Sequence, residues 1–309
     1  MFILSQIKNM FRRKPKIIVV LGQTSTGKSD IAVEIAKKYN GEVISADSRQ
    51  VYRGMDLGSG KITTEEMSGV PHHLLDVAEP KDIFDVQQYR KLGTESVMDI
   101  LSRGKVPIIC GGTGFYIDSL INQTQFSSVG PNKELRSELE KKSLKELQDL
   151  LQKKSAKDYK KIDTKNPVRI IRALEILDTL GKIPKVKKNN PYNVLYIGLK
   201  IEKDLLHKRI HARILKRLEL GMLDEAHQLL ASGVSHQRLQ SLGLEYKYMS
   251  LNILRKINYD EMIEKLYWDT VHFAKRQKTW FKRNKEILWF DSIKDTQEIF
   301  NTVSNFLGK

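Results

Sequence analysis

The sequence predicts an α/β fold, a parallel sheet flanked by helices that carries an inserted helical domain, and three observations predict it. The stretch Gly22-Gln23-Thr24-Ser25-Thr26-Gly27-Lys28-Ser29 follows the apolar run Ile17 to Leu21 and opens into an amphipathic segment ending at Tyr39. Strand and helix signals then alternate as far as Tyr116, the rhythm of a parallel sheet with crossover helices. Beyond Tyr116 the apolar positions recur at helical spacing, with little strand signal before Val194.

The elements follow in order. Ile17–Leu21 reads as the first strand and 28–39 as its helix. The loop between them has the P-loop pattern with both proper flanks, so the sheet is expected to be P-loop NTPase-like. Glu42–Ala46 is a second strand, 85–103 a helix, and Val106–Cys110 a third strand ending in Gly111-Gly112-Thr113-Gly114. Leu135, Leu139, Leu144, Leu147, Leu150 and Leu151 mark apolar faces of an inserted helical domain expected over 121–191. Asn193–Ile201 returns to the sheet, followed by helices at 203–220, 222–231 and 260–283, a strand Ile287–Phe290 and a helix at 295–307. The core is therefore expected to comprise 1–120 and 192–309, and the Gly-, Pro- and Lys-rich stretch from Gly181 to Pro191 is expected to be a loop.

Composition narrows the function classes. One cysteine, Cys110, excludes a disulfide framework and a cysteine-rich zinc module, and makes the cytoplasm the default compartment. No apolar run is long enough to span a bilayer, and the basic start through Arg12, Arg13, Lys14 and Lys16 lacks a signal-peptide core, so no membrane role is expected. The 53 Lys and Arg against 37 Asp and Glu give a net charge of +16, which suits a polyanionic partner. Half of that excess lies in 133–188, where 17 basic residues face 9 acidic ones; lysine-rich helices also serve as plain solvated faces.

The motifs specify the chemistry further. Backbone N–H groups of a P-loop converge on phosphate oxygens, Lys28 adds a positive charge and Ser29 a magnesium ligand. Alone, the loop fits an ATP- or GTP-using protein. Asp47 ends the second strand, and in a parallel sheet the carboxyl ends of neighbouring strands share one crevice. There it has the choice of holding magnesium through water, accepting a proton from a nucleophile, or capping the following turn. The third strand ends on small residues and the Thr113 hydroxyl instead of a second acid, which leaves space for a bulky group and argues against phosphoryl transfer. His72 and His73 lack a third ligand at useful spacing, so a structural or substrate-lining role is preferred to zinc. Arg209 and Arg213 share a helix face and suit a diphosphate, a nucleic-acid backbone or solvent. Lys275 to Arg283 interleaves cations with Trp280 and Phe281, the composition of a strand-tracking surface, although those two aromatics are equally good core residues.

Together these residues resemble the tRNA dimethylallyltransferases, which isopentenylate an adenosine beside the anticodon. The likeness spans Lys16 to Asp291 and rests on Gly22–Ser29, Ser45–Asp56 (SADSRQVYRGMD), Gly58–Lys61 (GSGK), Pro71–Asp76 (PHHLLD), Gly111–Tyr116 (GGTGFY), Arg169–Glu175 (RIIRALE) and Ala274–Trp280 (AKRQKTW). The resemblance implies that the phosphate ligand is the diphosphate of dimethylallyl diphosphate, held by Gly22, Thr24, Ser25, Thr26, Gly27, Lys28 and Ser29 with magnesium on Ser29. It implies Asp47 as the general base toward the adenine amine, with Thr113, Arg213 and Lys28 on the departing diphosphate. The implied tRNA contacts are Asp47, Ser48, Arg49, Gln50, Val168, Arg169, Arg172, Gln240, Gly243, Glu245, Arg276 and Gln277, with the basic insertion clasping the anticodon stem-loop. The chain resembles the compact bacterial form, and a monomer in the cytoplasm is expected.

The chain departs from the pattern in two places. Gly243-Leu244-Glu245-Tyr246 stands where the family usually has Gly-Tyr-Lys-Glu, and Phe84-Asp85 where it usually has Tyr-Ser. The competing readings are an adenylate isopentenyltransferase acting on a free nucleotide, a P-loop nucleotide kinase, and a non-catalytic RNA-binding protein. The basic insertion argues against the first, the absent strand-end acid against the second, and the complete set Lys28, Ser29, Asp47, Thr113 and Arg213 against the third.

Overall fold

Alternating apolar residues in the first strand are shared between two helical layers, and this sets the architecture. The structure, a computed structural model, describes residues 14–127, 129–185 and 189–309. Most of the basic lead-in and residues 186–188 of the expected loop lie outside the described residues. Strands β1 (Lys16–Gly22), β2 (Gly41–Ser45), β3 (His72–His73), β4 (Val106–Gly111), β5 (Asn193–Lys200) and β6 (Leu288–Asp291) form one sheet in the order β3-β2-β4-β1-β5-β6. Every pairing is parallel. Ile17, Val19 and Leu21 of β1 pack on Tyr89, Val97 and Ile100 of helix α3 (Val86–Ser102) and Ile117 and Leu120 of α4 (Gly114–Ile121). Ile18 and Val20 face the other way, onto Ile31 and Ile35 of α1 (Lys28–Tyr39) and Ile299 and Val303 of α14 (Thr296–Leu307). A short helix, α2 (Thr64–Met67), precedes β3.

The strand order places the carboxyl ends of β2, β4 and β1 side by side, so Asp47, Thr113 and the Gly22–Ser29 loop emerge on one edge. The sheet's edge strand β3 anchors His73, whose Nε2 lies 2.8 Å from Oε2 of buried Glu42, while His72 Nδ1 lies 2.8 Å from the Val70 carbonyl. Helix α3 begins at Asp85, whose carboxylate accepts the Gln87 and Gln88 N–H groups. An acid thus does the capping work that a serine does equally well, and this departure from the family pattern leaves the helix start intact.

Contacts divide the chain into two units, Met1–Gln123 with Asn190–Lys309, and Thr124–Asn189. The division falls within three residues of the expected insertion limits of 121 and 191. The smaller unit holds α5 (Lys133–Leu139), α6 (Leu144–Lys154), α7 (Ala156–Tyr159) and α8 (Pro167–Leu180) around Leu139, Leu147, Leu151, Ile170 and Leu174. Buried Glu175 ties it together by accepting from Arg136 at 2.7 Å and from the Asn132 N–H at 3.0 Å.

In the larger unit, helices after β5 form a second core: α9 (Lys203–Glu219), α10 (Met222–Ala231), α11 (His236–Ser241), α12 (Leu244–Ile253) and α13 (Tyr259–Phe281). Leu206, Ile210, Ile214, Met222, Met249, Met262 and Leu266 pack there. Among the described residues no helix is long and apolar enough to cross a membrane.

Candidate active site

The loop after β1 is shaped to receive an anion. Gly27 caps α1 in the left-handed region (φ 81°) and contributes no side chain, so the first N–H groups of the helix are left for a ligand. Buried Thr26 donates its hydroxyl to the Gln23 carbonyl at 2.8 Å and Lys28 Nζ donates to the same oxygen at 2.6 Å, which curls the loop inward. Ser25 takes a left-handed conformation (φ 61°) at the tip, and Ser29 is exposed on the first turn of α1. Burial pushes the Lys28 ammonium down to about 8, and the nearby Arg213 guanidinium acts in the same direction, partly opposed by Asp47.

Helix α13 braces this loop from behind. Gln277 is 6% exposed; its Oε1 accepts the Thr24 N–H at 2.9 Å and its Nε2 donates to the Gly112 carbonyl at 3.0 Å. Gln23 Nε2 donates to the Ala274 carbonyl at 3.1 Å. Gln277 was expected to touch RNA. Both ends of its amide are instead occupied inside the protein, where they tie the loop after β1 to the end of β4.

A similar correction applies to the glycines after β4. They do not leave room for a ligand: a Cβ at Gly111 would collide with the Ala46 carbonyl, at Gly112 with Gln277, and at Gly114 with Trp280. The protein itself fills that space. Thr113, by contrast, faces the crevice; its oxygen accepts the Ser48 N–H at 3.1 Å, which leaves its hydroxyl hydrogen to donate elsewhere.

Asp47 lies just past β2, half-buried, with Oδ1 accepting the Arg49 N–H at 2.8 Å. That Asx-type bond fixes the carboxylate next to Thr113 through the Ser48 link. Gln50, expected on RNA, accepts from Ser45 Oγ at 3.1 Å and donates to the Gly60 carbonyl at 3.0 Å. Its amide ties β2 to the Gly58–Lys61 segment.

Arg213 joins the same site. Its Nη1 donates to Thr24 Oγ1 at 3.2 Å and its Nη2 to the Gly60 carbonyl at 3.3 Å, and burial lowers its proton affinity from the ordinary arginine range. The expected pairing with Arg209 is replaced at this point by Arg217, which lies beside Arg213 over Gly60. Arg209 acts on Asp30 at the start of α1. The same spacing rule that linked 209 to 213 links 213 to 217, so the signal was present but unused.

The remaining expected contacts are scattered. Gln240 donates to Ser250 Oγ at 3.0 Å, Gly243 has φ 154°, and Glu245 lies 3.6 Å from Arg217. Arg276 is exposed over the Phe273 ring at 5.8 Å, and it lines a groove of about 460 Å³ with His272, Lys275, Thr279, Trp280 and Arg283. Phe281 is core, whereas Trp280 is half-buried with Arg283 over its ring at 5.1 Å. In the smaller unit Val168 is 69% exposed and Arg169 pairs with Asp163 at 3.0 Å. Arg172 donates to the Val129 carbonyl at 2.6 Å and so has a structural role there. Among the described residues no cluster of His, Cys, Asp or Glu is built to hold a metal unaided.

Known proteins share this arrangement of sequence. The IPP transferase family profile matches residues 50–284. A tRNA dimethylallyltransferase from Anoxybacillus flavithermus is 39% identical over 287 residues, 91% of this chain and 92% of its own length. A solved structure of a tRNA isopentenylpyrophosphate transferase from Bacillus halodurans superimposes with a TM-score of 0.73 at 37% identity, covering 96% of this chain and 97% of that one. A eukaryotic dimethylallyltransferase, solved as it acts on tRNA, shares the fold with a TM-score of 0.82 at 24% identity, covering 95% and 80%.

Proposed function

The chain belongs to the IPP transferase family, and from that premise we propose that it transfers a dimethylallyl group from dimethylallyl diphosphate to the exocyclic amine of the adenosine 3′ to the anticodon in tRNA, releasing diphosphate. The observation that carries this reading is the meeting of three strand ends on one edge: a phosphate loop, the Asp47 carboxylate and the Thr113 hydroxyl, with Arg213 hydrogen-bonded to the loop at Thr24.

Chemistry and geometry agree. The bond to break is the allylic carbon–oxygen bond, and negative charge grows on the leaving diphosphate as it breaks. Lys28, Arg213, the Thr113 hydroxyl and the open N–H groups of α1 are the donors this reading assigns to that charge, and preorganised donors supply most of the acceleration in reactions of this kind. An adenine amine is a weak nucleophile, so holding it against the allylic carbon supplies a further large share. Asp47 then takes the proton whose acidity rises as the new carbon–nitrogen bond forms.

Ser29 fits magnesium. Its hydroxyl is exposed on the first turn of α1, and magnesium is ordinarily held by one or two protein oxygens together with substrate phosphates and water. When bound, the ion would neutralise part of the diphosphate charge.

The acceptor base must leave its stack, at a cost of a few kcal/mol in an anticodon loop. The basic-aromatic groove along α13 and the positively charged smaller unit supply the chemistry for holding the RNA, with the chain acting as a monomer in the cytoplasm. Incubation with unmodified tRNA, labelled dimethylallyl diphosphate and magnesium is expected to label the RNA, and nucleoside mass spectrometry to show isopentenyladenosine. Absence of transfer to tRNA, or preferential transfer to AMP, would sink this reading.

A further inference from the structure

Two guanidinium groups stand together where the family resemblance assigns only one. Arg213 and Arg217 lie one helical turn apart on α9, and both occupy the space in which a Cβ at Gly60 would stand. The backbone at Gly60 is left-handed (φ 61°), and a side chain there would have to displace both guanidinium groups. The Arg217 side chain is 11% exposed, and burial together with the neighbouring Arg213 charge pushes it down to about 10. Its acidic partner is Glu245, at 3.6 Å, longer than a good charge-assisted hydrogen bond. Like charges in a low-dielectric site repel, and here the pair is offset by the fields of Glu245 and Asp47, with Asp30 and Glu66 also acting on Arg213. Among the described residues Arg217 makes no ion pair closer than the 3.6 Å contact with Glu245, which suits a guanidinium that takes an anion in addition.

We propose that Arg217 is a second arginine ligand of the donor diphosphate, and that Glu245 holds it in place until the diphosphate arrives. The proposal rests on the prenyl-transfer reading given above. Direction favours the donor over the RNA. Arg213 reaches the loop after β1 through Thr24 and the Gly60 carbonyl, and the Arg217 guanidinium lies in the same small volume over Gly60. A diphosphate seated in the loop can enter that enclosed space, whereas a phosphate within an RNA backbone needs an open face. The chain's own departure is consistent: an acid stands at 245 where the family usually has lysine, and a cation from α9 lies beside it.

The test compares Arg217→Ala, Arg217→Lys and Glu245→Gln with the natural chain by titration calorimetry of inorganic diphosphate with magnesium, and by KM for each substrate. Loss of a charge-assisted hydrogen bond to a buried anion corresponds to about tenfold to hundredfold in affinity. Arg217→Ala is expected to weaken diphosphate and raise the donor KM by that factor, with tRNA affinity unchanged. Arg217→Lys should recover part of the loss, and Glu245→Gln should tighten diphosphate binding by freeing the guanidinium. Weakened tRNA binding with an unchanged donor KM would overturn the proposal in favour of an RNA contact. Equal diphosphate affinity in all four proteins would overturn it in favour of a purely structural ion pair. If the natural chain itself neither bound diphosphate nor modified tRNA, the function reading would fall, and Arg217 with it.

Discussion

The N–H of Thr24, in the phosphate loop, donates to Oε1 of Gln277 across 253 positions of sequence at 2.9 Å. This bond, with the return bond from Gln277 Nε2 to the Gly112 carbonyl, locks the loop and the end of β4 to one side chain of α13. Gln277→Leu keeps the volume but orphans the half-buried Thr24 N–H and the buried Gly112 carbonyl, a loss of about 1–3 kcal/mol for the buried group and less for the other. The donor KM is expected to rise by at least tenfold, with tRNA affinity within about twofold of normal. Reduced tRNA affinity with an unaltered donor KM would restore the RNA-contact role implied by the family resemblance.

Asp47→Asn separates base chemistry from loop geometry. An amide oxygen can still accept the Arg49 N–H that Asp47 Oδ1 accepts at 2.8 Å, so the turn should persist while proton acceptance is lost. Turnover is expected to fall by about 10²–10⁴, the usual contribution of a general base, with both substrates still bound. Single-turnover transfer to a tRNA stem-loop measures it; near-normal turnover would remove Asp47 from the role.

The features legible in the sequence were those written locally. The loop, its strand and its helix are contiguous, and so are the strand ends at Asp47 and Thr113. What was not legible depends on distant contacts. Nothing near Gly112 or Gly114 announces that Gln277 and Trp280 fill the space beside them, so the glycines were misread as room for a ligand. Helix α12 buries Tyr246, Tyr248, Met249 and Ser250 on more than one face, which erases the amphipathic signal used to find helices. Strand β3 is two residues long and defined only by pairing with Val43 and Ile44. Arg217 is legible from its helical spacing to Arg213, but the Gly60 backbone beneath both guanidiniums is not.

Glu225 explains the other half of the altered Gly243–Tyr246 segment. Its carboxylate accepts the N–H groups of Asp56, Leu57 and Gly58 at 2.8, 2.7 and 2.9 Å, and the Tyr246 hydroxyl at 2.7 Å. Glu225→Ala would leave those three N–H groups and a buried hydroxyl without their acceptor, and is expected to destabilise by about 3 kcal/mol or more. Tyr246→Phe removes one donor to a charged group and should cost about 1.5–3 kcal/mol. Urea unfolding of both variants checks the order; a Tyr246→Phe protein as unstable as Glu225→Ala would show that the hydroxyl, and not the backbone nest, dominates.

Lys28 makes donor binding depend on pH in a calculable direction. Burial holds its ammonium at about 8 without ligand, so above that pH the free protein increasingly carries a neutral amine. A bound diphosphate favours the charged form and raises the pKa, which requires binding to take up a proton as pH rises through 8. Affinity for inorganic diphosphate should therefore be flat below about pH 7 as far as Lys28 is concerned, and fall by up to tenfold per pH unit between the free and the bound pKa. Calorimetry in buffers of different ionisation enthalpy reads the proton uptake directly. Lys28→Arg, which keeps its charge throughout this range, should abolish the uptake centred near pH 8, and uptake that survived the substitution would assign it to another group.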